Sequence, residues 1–376
     1  MTPTLSAPWE TLAVCLVLLG APAAASPRHA RAWHLIGVGL TLILALFTTS
    51  ATTAYVVTGV GLLLHALRAL PLSRAGGVSL GVAAVASIGV AVALGRGDLT
   101  SGFVLSCVAI AVAAGVMPLH IGAASLCDRL PLLQAGNLSS LIGLVFVHLR
   151  YVDHHPVAIE LAPFVVRYGA TACLAGALLA LVQTDLRGFY RATMSMHAGM
   201  LLAAVGTASR GNYAAALLVA IAMGLALGGL GIVIASLEER TGSVSFAGPG
   251  GRAGAFPRLA AAFAILGGAG VAVPGTAGFM ADDLLLHTLW MVSPASTVVM
   301  ILSSAFLAVA TLGCIAAVFF GRATPSLAPD LHPRERMVVV VLVTLLFLLG
   351  VMPGLLLEPA DVFLTPAPPM VQLTTP

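Results

Sequence analysis

The stretch AVPGTAGFMADDLLL, residues 272–286, sets Asp282 and Asp283 side by side a few residues after a proline that interrupts an apolar run. Only 8% of the chain is charged, so two adjacent carboxylates at such a place need a reason. Pro274 lacks an amide hydrogen, and its ring clashes with the preceding turn. With the glycines around it, the stretch reads as a broken helix with two acids just beyond the break.

Working outward, apolar residues make up 59% of the 376 positions, and the mean hydropathy is +1.06. A water-soluble domain needs roughly a quarter of its residues charged, so this is a polytopic membrane protein. All 17 basic residues are arginines, and the net charge of +3 is too diffuse for nucleic-acid binding. The five cysteines are scattered without CxxC or metal-ligand spacing, so no disulfide framework, metal site or cofactor is expected. The first apolar run ends in PAAAS like a secretory signal, but Glu10 and no arginine precede it; it reads as a retained helix.

A bilayer crossing takes about 17–25 apolar residues. Twelve runs qualify: 9–26, 32–50, 52–70, 77–95, 101–121, 134–151, 158–183, 188–208, 212–236, 257–279, 293–320 and 336–357. They are helices, because a chain in lipid must satisfy its own backbone hydrogen bonds. The odd-numbered connections hold thirteen arginines and the even-numbered ones three. The positive-inside rule then puts the odd connections in the cytoplasm and both termini outside.

The fifth run meets Pro118 near its end, as the tenth meets Pro274. If helices two to six form one unit and seven to eleven another, each has five crossings and its fourth is broken. An odd number of crossings inverts the second unit, and matched breaks in an inverted repeat point to an ion or substrate path near the midplane. The expected fold is all-α, with about 12 transmembrane helices and two inverted five-helix repeats. The segments are an N-terminal helix (1–31), the first half (32–151), the second half (152–320) and a C-terminal helix with its tail (321–376).

LVQTDLRGFYRATMSMHAGM (181–200), PRLAAAFAILGGAGVAVPGTAGFMADDLLL (257–286) and MPLHIGAASLCDRLP (117–131) carry a resemblance to the antiporter-like family. This comprises the large proton-translocating membrane subunits of respiratory complex I, of Mrp-type cation/proton antiporters and of membrane-bound hydrogenases. The resemblance implies a file of ionisable residues at mid-membrane depth, joined by waters, along which protons move. It also implies charged stations at positions where this chain has Thr58, Ala113, Val219, Met223 and Leu227. The last station survives as Asp282 or Asp283. A buried lysine costs about 2.5–3.5 kcal/mol on insertion scales, so removal of the family's lysines suggests that their return in function is gone.

The remaining relay candidates are His120, which the resemblance aligns with a family histidine, His197, inside RATMSMHAG, and His148 on the sixth run. His148 and His65 lie near helix ends, where a long side chain can snorkel to the interface. An imidazole can accept or donate protons near neutral pH, although a buried histidine more often just bonds a carbonyl. Neighbouring carboxylates repel when both ionise, which favours a shared proton at Asp282 and Asp283; the plainer role is to begin a water-facing segment. Asp185 and Arg187, in QTDLR, are expected to pair and to cap a helix. Glu160 and Arg167 read as interfacial, and Ser139 and Ser140 as small residues for close helix contact.

Two functions follow. One is an antiporter-like subunit that conducts or couples protons within a multi-subunit membrane complex, at most a part of a proton-translocating oxidoreductase. The other is a membrane partner or scaffold for a large cytoplasmic catalytic subunit, as the resemblance implies for inorganic-carbon uptake complexes that accumulate bicarbonate. Catalysis by the chain itself is disfavoured, with no nucleotide loop or metal-ligand cluster. Its surroundings are the lipid bilayer of a bacterial-type inner membrane, the other subunits and protons.

Overall fold

The computed structural model describes residues 8–25, 33–127, 131–152, 156–208, 213–322, 326 and 328–355. Arg28, Arg31, Arg129, Arg210 and the tail from 356 lie outside the described residues. Within them the chain is all-helical. The first seven helices are α1 (Pro8–Ala25), α2 (Trp33–Phe47), α3 (Ala51–Ala69), α4 (Arg74–Gly95), α5 (Leu99–Ala114), α6 (His120–Cys127) and α7 (Pro131–Tyr151). They are followed by α8 (Pro156–Leu181), α9 (Leu186–Ala208), α10 (Tyr213–Thr241), α11 (Pro257–Gly270), α12 (Ala277–Val292), α13 (Pro294–Phe319) and α14 (Pro333–Val351).

Ten of the twelve apolar runs coincide with one helix each, whereas the runs at 101–121 and 257–279 each pass through a break into the start of a second helix. By length and composition α4, α8, α10 and α13 are long and apolar enough to cross a membrane. Local chemistry marks the starts. Ser50, Ser73, Asp98, Thr276 and Ser293 each accept a backbone N–H three residues on, filling one of the donors every helix N-terminus leaves open.

The centre of the bundle is α10, whose sequence YAAALLVAIAMGLALGGLGIVIAS is apolar all round and buried along almost its whole length. A helix without a polar face belongs inside, and α1, α7, α9, α11, α12 and α14 all pack on it. Beside it α9 is buried from Leu186 to Ala208. Its seam with α8 is made of glycines. A Cβ on Gly169 would stand 2.4 Å from the Ala203 nitrogen, on Gly176 2.5 Å from the Met196 nitrogen and on Gly199 2.3 Å from the Cys173 nitrogen. The two backbones touch there, as small residues allow in membrane helices.

One buried ion pair ties the ends together. Arg240, at the end of α10, meets Glu335 of α14 at 2.6 Å, with side-chain exposures of 5% and 6%. The Arg240 Nε also donates to the Pro329 and Asp330 carbonyls at 2.8 and 3.0 Å. Asp330 in turn accepts from the Arg258 and Leu259 amides. The carboxylate of a distant loop thus caps α11, whose own preceding residue, Phe256, makes no side-chain cap.

Two outcomes follow. Gly199→Leu forces the α8 and α9 backbones apart and should cost about 3 kcal/mol, read as a drop in apparent unfolding temperature in detergent. Arg240→Ala leaves Glu335 buried without its partner and should cost about 3–5 kcal/mol, checked by the same melt.

Candidate functional site

The two interruptions are built differently. After α5, Gly115 turns into the left-handed region at φ +82°. A Cβ there would lie 2.6 Å from that of Ala123, so glycine is required. After α11, Ala272 at φ +57° and Gly275 at φ +89° carry the turn. The Thr276 hydroxyl donates to the Val273 carbonyl at 2.7 Å and caps α12. Gly350 of α14 packs on this second break, where a Cβ would lie 2.3 Å from the Gly275 oxygen. Pro118 and Pro274 sit within the breaks and face outward.

A break frees carbonyls that no helical amide reaches, and burial makes leaving them unbonded costly. Side chains supply the donors. At the first break the Asn137 amide of α7 donates to the Ala113 carbonyl at 2.9 Å. Ser195 of α9 donates to Gly115 at 3.3 Å, and Tyr168 of α8 to Met117 at 2.7 Å. At the second, His197 Nε2 lies 2.9 Å from the Gly270 carbonyl. Ser195 and His197 are two residues apart, hence on opposite sides of α9. One helix therefore serves both interruptions.

His197 has a further contact, with Nδ1 2.8 Å from the Thr193 carbonyl. Both ring nitrogens face acceptors. A neutral imidazole has one N–H and bonds one of them, whereas an imidazolium bonds both. The second contact therefore depends on a proton. His197 occupies the middle of α9 and is 5% exposed.

Asp282 stands on α12, a turn and a half beyond its start, half-buried, while Asp283 is exposed. Of the adjacent acids, only Asp282 is turned into the protein. His120 opens α6 directly after the first break, half-buried, and its Nδ1 has no protein partner. His120, His197 and Asp282 are not hydrogen-bonded to one another.

Other expectations change. His148 and His65 do not snorkel; both are fully buried. The carbonyl of Leu133 holds His65 Nε2 at 2.8 Å, and Ser106 holds His148 Nδ1 at 2.8 Å. These helix ends are covered by neighbouring helices. Asp185 caps α9 through the Gly188 amide at 2.8 Å, but Arg187 reaches across to Glu238 of α10 at 2.7 Å. Glu160 and Arg167 are exposed. Ser139 donates to the Cys15 carbonyl at 3.2 Å, binding α7 to α1.

Ala113, Val219, Met223 and Leu227 are all buried and apolar, and Thr58 is bonded to its own helix at Ala54. Around Leu227 the polarity comes from neighbours. Tyr190 donates to the Leu227 carbonyl at 2.6 Å and accepts from Gln134. Tyr55, Ser106, Gln134, Asn137, Tyr190 and Ser195 were not singled out by the sequence reading. The available signal was a polar side chain within an otherwise apolar run.

The transmembrane model of the NADH:quinone oxidoreductase/Mrp antiporter family matches residues 31–308. NADH-quinone oxidoreductase subunit M of Escherichia coli K12 is 28% identical over 264 residues, 67% of this chain and 51% of that protein. The chain thus spans about half the length of the curated relatives it matches. A chain of respiratory complex I from Thermus thermophilus superposes with a TM-score of 0.80 at 22% identity, covering 94% of this chain and 81% of its own. One from the Mrp complex of Dietzia sp. gives 0.76 at 19%, over 92% and 80%. The family match takes in both interruptions and the α9 helix that serves them, and on that ground the chain belongs to the NADH:quinone oxidoreductase/Mrp antiporter family of transmembrane proteins.

Proposed function

We propose that this chain is an antiporter-like subunit of a multi-subunit complex that conducts or couples protons across a bacterial-type inner membrane. In this reading residues 32–151 and 152–320 are two inverted halves of five crossings each. The whole comprises twelve crossings, with the termini outside. The observation that carries it is the pair of interrupted helices met by one helix, with His197 at the second break and Asp282 beyond it. Carbonyls freed at a break can order water, and a half-buried carboxylate can take up and release a proton, whereas a helix bundle serving only as an anchor needs neither.

His197 takes a proton between the Thr193 and Gly270 carbonyls, Asp282 exchanges one on the α12 side, and His120 does so at the first break. Water joins the stations, since the three side chains do not touch. A second reading has support of its own: the apolar packing at Ala113, Val219, Met223 and Leu227 suits a scaffold for a cytoplasmic catalytic subunit, such as one accumulating bicarbonate.

Proton flux in proteoliposomes holding the purified assembly separates the readings. Asp282→Asn should lower flux about a hundredfold or more, the range for loss of a positioned acid–base group. His120→Ala should lower it less, because that site keeps its carbonyls. If neither variant alters flux or partner-dependent activity, the transport reading falls and the scaffold stands. His197→Gln keeps one amide donor but cannot carry the proton, so flux should fall about a hundredfold with little change in melting temperature. His197→Ala strips the Gly270 carbonyl of its donor and should also cost about 1–3 kcal/mol of stability.

A further inference from the structure

We propose that Tyr55, Ser106 and His148 form a second proton-transfer chain, in the first half of the bundle and separate from His197 and Asp282. It rests on the proton-conducting reading above and adds to it a segment acting in series with those two groups. The three residues come from α3, α5 and α7, and each is fully buried. The Tyr55 hydroxyl and Ser106 Oγ are 2.8 Å apart, and Ser106 Oγ and His148 Nδ1 are 2.8 Å apart. Phe103 packs against the His148 ring with centroids 5.5 Å apart and planes tilted by 50°. Ser87 of α4 donates to the Tyr55 carbonyl at 3.2 Å, fixing the backbone that carries the phenol.

The chemistry follows from the donor and acceptor inventory. A hydroxyl accepts one proton while giving another, and a neutral imidazole accepts at one nitrogen while donating from the other. A proton arriving from water at the Tyr55 oxygen displaces the phenolic proton to Ser106 Oγ. Ser106 passes its own to His148 Nδ1, and His148 releases the Nε2 proton to water. Counting the waters at the two ends, four bonds to hydrogen form and four break, one proton enters and one leaves, and nothing is oxidised or reduced. Rotation of the hydroxyls and return of the ring tautomer reset the chain. Every member is neutral at rest, so no isolated charge has to be held inside the membrane.

The chain also points somewhere. Ser106 and Ala113 are seven residues apart on α5, and Asn137 and His148 eleven apart on α7, so each pair shares a face of its helix. Asn137 bonds the Ala113 carbonyl at the first break. Its Oδ1 and the Ser140 hydroxyl oxygen are buried without a protein partner, and ordered water is what satisfies such atoms. The α5–α7 interface thus carries polar groups at both levels, the chain near one end and the hydrated break at the other.

Helix stapling alone would produce the same bonds, so the test must separate transfer from assembly. Proton flux is measured in proteoliposomes of the purified assembly carrying Tyr55→Phe, Ser106→Ala, Ser106→Thr or Asp282→Asn, with melting temperature and subunit content recorded for each. Tyr55→Phe and Ser106→Ala should lower flux about a hundredfold in assembled complex, while Ser106→Thr, which restores a hydroxyl, keeps most of it. Full flux in Tyr55→Phe and Ser106→Ala while Asp282→Asn is impaired overturns the chain and leaves proton conduction standing. Full flux in all four, or none in the unaltered assembly, overturns both. Flux losses that only follow loss of assembled complex, equal in Ser106→Ala and Ser106→Thr, also overturn the chain. If Ser106→Ala does not assemble, Tyr55→Phe decides alone, since it removes a single oxygen: reduced flux supports the chain and full flux overturns it.

Discussion

An interrupted helix inside a membrane protein exposes backbone carbonyls where water is scarce, and the need to bond them governs the rest of this molecule. Each of the two breaks is answered by side chains brought from other helices: Asn137, Ser195 and Tyr168 at the first, His197 at the second. That requirement explains why α9, RATMSMHAGM in its middle, is polar in places yet wholly buried. Its Ser195 and His197 point to opposite sides because the breaks lie on opposite sides of it. Replacing either with an apolar residue would leave an orphaned acceptor, whose desolvation costs about 1–3 kcal/mol.

Close approach makes this possible. Two short side chains reach two breaks only if α9 is pressed against its neighbours, and the glycine seam with α8 provides that contact through Gly169, Gly176 and Gly199. On the other side, Gly231 of α10 leaves space for the Tyr190 hydroxyl, which a Cβ would meet at 2.5 Å. The outer anchors are charged and lie at helix ends. Arg240 with Glu335, and Asp330 on the first amides of α11, hold the start of the second interrupted helix while its far end turns on Ala272 and Gly275. The rigid end and the hinge-like end of α11 are thus defined by different physics.

Much of this was legible in the sequence, because apolar runs and prolines are local signals. The helices and both interruptions could be read from run lengths and from Pro118 and Pro274. The PGTAGF and QTDL segments pointed to the family. What could not be read was long-range. Nothing near Arg187 in the chain names Glu238, and nothing near His148 names Ser106, since both pairings cross between helices distant in sequence. His148 looked interfacial from its place three residues before a helix end; only the packing of α3 and α5 over it makes it internal. Asp282 and Asp283 were indistinguishable as letters, and the rotation of α12 against α13 separates the half-buried one from the exposed one.

The scarcity of charge then takes on a physical meaning. A lysine or glutamate in the lipid interior needs a partner or a hydrated cavity, whereas hydroxyls, amides and neutral imidazoles can be satisfied by single hydrogen bonds to backbone or to one another. Where the family resemblance implies charged stations, this chain has Ala113 and Leu227, and their carbonyls are bonded by Asn137 and Tyr190. At both positions the polar group is the backbone carbonyl, with an uncharged donor supplied from another helix. Such an arrangement is less costly to bury and binds an ion less strongly. It leaves His197 and Asp282 as the groups within the bundle that can change charge at either side of one break.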